Sequence, residues 1–278
     1  MKTKIIVRYF LINAIFIFIL NSNLFSFRTN YFAPGISLYS FDYSETIDEP
    51  GQYIENFSQE LGVILGLNLR FQYEFKFNLF IAANIESAFF PTSYSGKDTS
   101  TLNVYTSISN HFLNLFELKT GYAFYIKNKV RIALFTGIGY RYWIRWINPE
   151  INGYREDYSW LHFILGININ FRISKSMNIG IEFSTKIMVY SLIKFYFTDI
   201  NLDKDVSVNL GNKTNFRIEI PIEYYLSKKY GLMFILWYNN SKIGRSEIED
   251  YYKMYYEPDS RTHQVGLHVN FVFYFNNK

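Results

Sequence analysis

The 278-residue chain has no cysteine, which excludes a disulfide framework, a thiolate metal site, iron–sulfur ligation and a cysteine nucleophile. Proline occurs only six times and histidine four times. Net charge is also scarce. The chain carries 28 Lys and Arg against 24 Asp and Glu. Three of those bases (Lys2, Lys4 and Arg8) lie in the first 26 residues, which hold no acid, so the remainder has 25 against 24. A nucleic-acid partner calls for a basic surplus on one face, and that surplus is missing. Aromatic residues, by contrast, are abundant: 25 Tyr and 28 Phe contribute to a 21% aromatic share, more than a water-soluble core requires.

Lys2, Lys4 and Arg8 precede an apolar run from Phe10 to Leu20 that only Asn13 interrupts, and small or polar residues follow at Asn21, Ser22, Asn23 and Ser26. This is the order of a secretory signal peptide. The run is well short of the roughly 20 residues that a spanning helix needs. Residues 1–26 are therefore expected to be a signal peptide cleaved near Ser26, and 27–278 the exported domain. With no Cys after it, a lipid anchor is excluded.

Beyond residue 30 the hydrophobic signal alternates residue by residue, as in a strand with one apolar face. In the last segment Val265, Leu267, Val269, Phe271, Phe273 and Phe275 share one face, against Gln264, Gly266, His268 and Asn270. The stretches from Leu61 to Tyr73 and from Trp160 to Ile173 repeat the pattern. Ten strands are predicted, at 31–43, 58–74, 77–90, 106–126, 130–146, 159–173, 177–194, 213–226, 231–243 and 262–275. Their connections alternate between four tight turns and five long loops, at 44–57, 91–105, 147–158, 195–212 and 244–261.

An even strand number with short turns on one side and long loops on the other fits a transmembrane barrel. The fold expected is an all-β, ten-stranded antiparallel up-and-down barrel with short periplasmic turns and long extracellular loops, located in the cell outer membrane. Lipocalin-like barrels alternate too, but they bury the apolar face inward. Here the polar face carries Arg70, Glu86, Glu117, Lys119, Arg131, Arg141, Glu182, Lys186, Arg217, Glu219 and Glu223 at mid-strand, while the other face is nearly continuous Leu, Ile, Val and Phe. In water the latter would be an untenable apolar surface. Tyr73, Tyr122, Phe124, Tyr142, Trp146, Tyr224 and Tyr238 fall near strand ends on the apolar face, where interfacial girdles belong. The closing segment from Leu267 to Phe275 resembles the C-terminal insertion signal of bacterial outer-membrane proteins, although Asn276-Asn277-Lys278 follows the terminal aromatic.

Ten strands enclose little more than side chains can fill, and buried charges persist when paired. A salt-bridged plug is expected, with Arg217, Glu219 and Glu223 facing Lys186 and Glu182 of the preceding strand; a narrow channel is the alternative. Strand number, export and loop layout together resemble the omptins, surface endopeptidases of Gram-negative bacteria. That resemblance implies an Asp-x-Asp pair beyond the third strand opposite an Asp-x-His pair beyond the seventh. The first loop offers only Asp98, and the second Asp199 and Asp203-Lys204-Asp205 without a histidine. None of His111, His162, His263 and His268 follows an Asp at the required spacing. No catalytic, cofactor-binding or metal-ligating residue is therefore assigned, and no cofactor is expected. His111, His162 and His263 fall near loop-side strand ends, with His162 inward, and read as polar residues at the water boundary.

The last loop is distinctive: Glu247, Glu249, Asp250, Lys253, Glu257, Asp259 and Arg261 interleave with Tyr251, Tyr252, Tyr255 and Tyr256. Tyrosines among mixed charges have the composition of recognition surfaces; a solubilising loop folded over the mouth is the plainer reading. The expected role is surface interaction, adhesin-like, or envelope structure, by a monomer. An omptin-like endopeptidase with a divergent rim site is the competing class. Outer-membrane lipid, including lipopolysaccharide, and an extracellular protein are the expected partners.

Overall fold

A computed structural model describes residues 27–49, 51–98, 101–148, 151, 153–248 and 256–275. The expected signal peptide and the Asn276-Asn277-Lys278 extension lie outside the described residues. Twelve strands follow in order: β1 (Tyr31–Glu49), β2 (Gln52–Ile54), β3 (Ser58–Glu74), β4 (Leu79–Lys97), β5 (Val104–Ile126), β6 (Val130–Ile147), β7 (Arg155–Arg172), β8 (Met177–Phe195), β9 (Val206–Asn209), β10 (Thr214–Tyr225), β11 (Tyr230–Ile243) and β12 (Asp259–Tyr274). Ten of them pair antiparallel, each with its neighbours, into a closed barrel. The ring closes between β1 and β12, where Ser37 faces His268, and continues from β8 to β10, where Glu182 faces Glu219. Short β2 and β9 only extend β1 and β8 on the loop side. Closure leaves no unpaired edge, which the apolar interior of a membrane would not tolerate.

The alternation decides which face looks out. On β3, Leu61, Val63, Leu65 and Leu67 are 50–72% exposed, whereas the intervening Ile64 is fully buried and Asn68 and Arg70 are nearly so. The same inversion recurs around the ring, from Ile36 and Leu38 on β1 to Val265 and Phe271 on β12. Apolar side chains cover the outside and charged ones line the inside, so lipid rather than water must contact the wall. The chain is a transmembrane β-barrel of the outer-membrane type. Tyr122, Phe124 and Tyr224 stand exposed at the turn-side rim of the apolar band. The turns there are short. Lys127 and Asn128 both take left-handed φ, 46° and 53°, and Lys129 N–H donates to the Ile126 carbonyl at 3.0 Å. This is the hairpin turn whose twist matches that of paired strands.

Several strands outrun their expected limits. β1 continues to Glu49 rather than 43, β4 to Lys97 rather than 90, and β12 begins at Asp259 rather than 262. Above the apolar band the outward positions become polar, as at Asp42, Gln59, Ser93, Asp157, Lys194, Lys242 and Arg261. Inward positions there include Tyr43, Glu45, Glu60 and Thr92, all buried. Both faces then read as polar, so the hydrophobic pattern disappears while the backbone ladder continues. Four of the five loops are correspondingly shorter than the spacing implied; the one between β8 and β10 keeps its expected length.

The lumen is filled in layers. At the turn side Tyr31, Tyr225 and Tyr274 pack with Met233 and Ile235. Charged side chains occupy the middle. Toward the loops an aromatic layer of Phe41, Tyr43, Phe90, Trp143, Tyr158 and Trp160 extends up to Phe195 and Phe197.

Candidate functional site

The middle layer holds the residues that the sequence marks as inward-facing, and they do face inward: Arg70, Glu117, Lys119, Arg141, Lys186, Arg217 and Glu219 are all buried. Their partners differ from the expected ones. Arg217, Glu219 and Glu223 of β10 make no ion pair with Lys186 or Glu182 of β8 among the described residues; Glu219 and Glu182, two like charges, lie side by side in the register. Each is neutralised across the lumen instead. Arg70 on β3 grips Glu219 with two bonds of 2.8 Å, and Arg217 reaches Glu219 at 2.7 Å and Glu86 on β4 at 2.8 Å. Lys119 on β5 holds Glu182 at 3.0 Å and Glu117 at 3.4 Å, and Lys186 pairs with Glu117. Glu223 contacts Tyr274 and Tyr225 at 2.7 and 3.0 Å. A barrel this narrow brings opposite walls within side-chain reach, so long cations span it rather than lying along one hairpin.

A second cluster sits under the loops, above the apolar band. Arg145 on β6 contacts three carboxylates: Glu60 at 2.6 Å, Glu45 at 2.7 Å and Glu156 at 2.9 Å. Its remaining nitrogen reaches Ser58 Oγ at 2.8 Å. A fourth carboxylate, Glu257, descends from the last loop and is only 2% exposed. The expectation that Glu257 belongs to a charged, solvent-facing loop is corrected here. Tyr158 lies 2.8 Å from Glu257 and 2.9 Å from Glu156. Tyr43 lies 3.1 Å from Glu257 and 2.8 Å from Glu45. A hydroxyl has one proton to give, so each tyrosine can donate to only one of its two carboxyl groups. The other contact is a hydrogen bond only if that carboxyl group keeps a proton.

The electrostatics agree with this proton count. Burial, reinforced by Glu45 and Glu156, pushes Glu257 well above the ordinary carboxylate range despite Arg145. Burial likewise lifts Glu156 to about 6, with Arg145 opposing and Glu45 adding to it. For Glu60 burial works in the same direction, but Arg145 and His111 together outweigh it and hold the group at about 2. One cation among four carboxylates leaves the pair nearest the loop holding protons more tightly than ordinary carboxylates.

The histidines are dispersed. His111, fully buried, touches Glu60 at 2.5 Å and Thr92 at 2.8 Å through Nε2, and its Nδ1 accepts from Trp143 Nε1 at 3.0 Å. Both ring nitrogens are engaged and the ring stacks on Phe90 at 4.9 Å, so this rim carboxylate–histidine pair has no free nitrogen to serve as a base. His268 lies between Ser37 at 2.6 Å and Arg217 at 2.9 Å. His162 is 3.6 Å from Glu117. His263 faces outward and contacts Tyr238 at 2.7 Å. Among the described residues no group of three ligating side chains is arranged for a metal ion.

The loop acids are engaged in structural hydrogen bonds. Asp98 accepts from the Thr101 N–H and hydroxyl at 2.7 and 3.0 Å. Asp205 accepts from the Thr198 hydroxyl at 2.7 Å, and Asp199 from the Arg155 N–H at 3.1 Å. No described contact joins Asp98 to Asp203 or Asp205. The Arg145 cluster escaped sequence reasoning because Glu45, Glu156 and Glu257 fell in predicted loops. The signal that could have found it was the inward period of two running on through Tyr43, Glu45 and Ile47.

The barrel is similar to the outer membrane protease OmpT from Escherichia coli, with a TM-score of 0.57 and 12% identity over 92% of this chain and 100% of that one. The translocator domain of the autotransporter NalP from Neisseria meningitidis aligns over 98% of this chain and 96% of its own, with a TM-score of 0.47 and 9% identity. OprG from Pseudomonas aeruginosa aligns over 91% of this chain and 99% of its own, at 0.41 and 10%. No family model and no curated protein matches the sequence. The likeness to OmpT is one of fold. At the positions where omptin catalysis would sit, this chain has Asp98 and the Asp203-Lys204-Asp205 segment without a histidine.

Proposed function

We propose that the protein is a surface-recognition barrel, adhesin-like, that presents its last loop to an extracellular protein. The observation that carries this reading is the pinned base of that loop. Ser246 N–H donates to the Glu257 carbonyl at 2.9 Å, and Glu257 N–H donates to Ser246 Oγ at 2.9 Å. The Glu257 side chain is clamped by Tyr43 and Tyr158 at the same point. A tethered loop loses less entropy on binding than a free one. The residues between the stems include Tyr251, Tyr252 and Tyr255, which lie outside the described residues; their side chains supply contact area at low conformational cost. The barrel offers its own chemistry to structure, since the buried charges described above are largely committed to one another. Cleavage of the chain after Ser26, insertion as a monomer and contact of the apolar band with outer-membrane lipid, lipopolysaccharide included, belong to the same proposal.

The test is binding of the refolded barrel in liposomes to immobilised fibronectin, laminin, collagen and lipopolysaccharide. It is run beside a variant carrying Tyr251→Ser, Tyr252→Ser and Tyr255→Ser. Saturable binding to one of the three proteins that the triple variant loses supports the reading. Binding that survives in the triple variant, or none across the panel by a barrel shown to be folded by its heat-modifiable gel shift, overturns it. Peptide cleavage lost on Asp98→Asn, Asp203→Asn or Asp205→Asn would instead install the endopeptidase reading.

A further inference from the structure

The ion-pair network at the centre of the middle layer is balanced, and Arg141 stands outside it. The connected ion pairs join four cations (Arg70, Lys119, Lys186 and Arg217) to four carboxylates (Glu86, Glu117, Glu182 and Glu219). Arg141 on β6 is a fifth buried cation at 7% exposure, and among the described residues it makes no ion pair or hydrogen bond. Its guanidinium stacks over the Trp160 ring at 5.1 Å and lines a cavity of about 20 Å³ together with His162, Lys186 and Arg217. His162 is buried beside it, and neither of its ring nitrogens has a hydrogen-bond partner. Glu117 at 3.6 Å is beyond that reach and is held by Lys186. Glu86 also lines the cavity but is committed to Arg217 at 2.8 Å, with His268 at 3.5 Å.

An unpaired buried cation is costly, and a counter-ion removes that cost. We propose that this cavity binds one small inorganic anion of the halide class, held by Arg141 with His162 donating from its ring. The size fits. About 10–15 Å³ of such volume admits a single water, so about 20 Å³ takes a chloride-sized ion and excludes a phosphate or a substrate carboxylate with its carbon chain. The anion would bring the interior at this level to neutrality.

Crystals of the detergent-solubilised barrel grown in bromide provide the test. An anomalous peak beside Arg141 and His162, absent from Arg141→Gln crystals, is the expected result. No peak there in crystals whose other halide sites are occupied overturns the proposal, as does a peak that persists in Arg141→Gln. Urea unfolding is a second readout. The wild-type midpoint should rise saturably when gluconate is replaced by chloride at constant ionic strength, following ligand linkage, and that rise should be lost in Arg141→Gln and Arg141→Met. A chloride-independent midpoint, or an equal chloride effect in all three proteins, would mean that Arg141 is solvated without an anion.

Discussion

The Tyr158 hydroxyl lies 2.8 Å from the Glu257 carboxyl group and joins the barrel wall to the last loop across 99 positions of sequence. Because Tyr158 also touches Glu156, and Tyr43 touches Glu45, the bond belongs to a cluster of carboxyl groups that shares protons.

That sharing gives the loop a pH dependence of definite sign. Glu257 and Glu156 titrate above the ordinary carboxylate range when folded, so the docked state binds protons that the open state releases. The stabilisation is complete below the unfolded carboxylate value of 4.5 and fades as pH rises through about 6 for Glu156 and beyond for Glu257. The groups facing Glu257 are Glu45, Glu156, Arg145, Tyr43 and Tyr158; Arg145 and the Tyr158 hydrogen bond oppose the trend, and burial with the two carboxylates outweighs them. Hydrogen exchange of the peptide spanning 244–258, corrected for intrinsic rate, should lose protection between about pH 5 and about pH 8. Glu257→Gln should hold it nearly constant. Equal protection of the wild type at both ends of that range would refute the shared-proton cluster.

Arg145 holds three buried carboxylates, so its loss strands charge rather than merely deleting contacts. Arg145→Met is expected to cost about 3–5 kcal/mol, the range for breaking a buried pair from one side. The readout is the urea midpoint of the refolded barrel. Adding Glu60→Gln to that variant should recover part of the loss, because Glu60 is the carboxylate most dependent on Arg145 and His111. A single variant as stable as wild type would show that the cluster is hydrated rather than paired.

The row of Glu86, Arg217, Glu219 and Arg70 separates the cavity beside Arg141 from another of about 70 Å³ nearer the turns. Planar bilayers containing the wild type should show no ohmic steps. Replacing all four residues with Ala removes two charges of each sign and merges the cavities, and small steps should then appear. Steps of the same size in the wild type would make the channel reading correct.

Gly139 lies where a β-carbon would collide with the His162 ring. Gly139→Ala should cost about 1–3 kcal/mol through overpacking and push His162 away from the cavity it lines. Unfolding in urea and the chloride dependence of the midpoint check the two effects separately. An unchanged midpoint would mean that the ring has room to yield.

How legible all this was in the sequence depended on where each residue stands. Leu61 to Tyr73 and Trp160 to Ile173 alternate cleanly because lipid lies against one face and the charged lumen against the other. Arg70, Glu117 and Arg217 were placed inward for that reason. Glu45 and Glu156 were read as loop residues because, above the membrane, water wets the outer face and the apolar half of the pattern vanishes. His162 was correctly assigned to the inner face. His111 was expected at the water boundary, yet it is fully buried between Phe90 and Trp143, a fact that needs the rings of other strands to be known.

By itself the sequence determined that ten amphipathic strands would close into a barrel with its apolar face outward, since a period of two with lipid-like and charged faces has no other stable solution. It shows as well that the loop at 195–212 carries no histidine. Tertiary structure decided which charge meets which. Arg70 and Glu219 are 149 positions apart and sit on strands across the lumen, and the stagger of a closed barrel, which sets those encounters, leaves no mark on local periodicity. The same closure left Arg141 without a carboxylate and brought Glu257 down onto Tyr158, because packing in a narrow lumen depends on every strand at once.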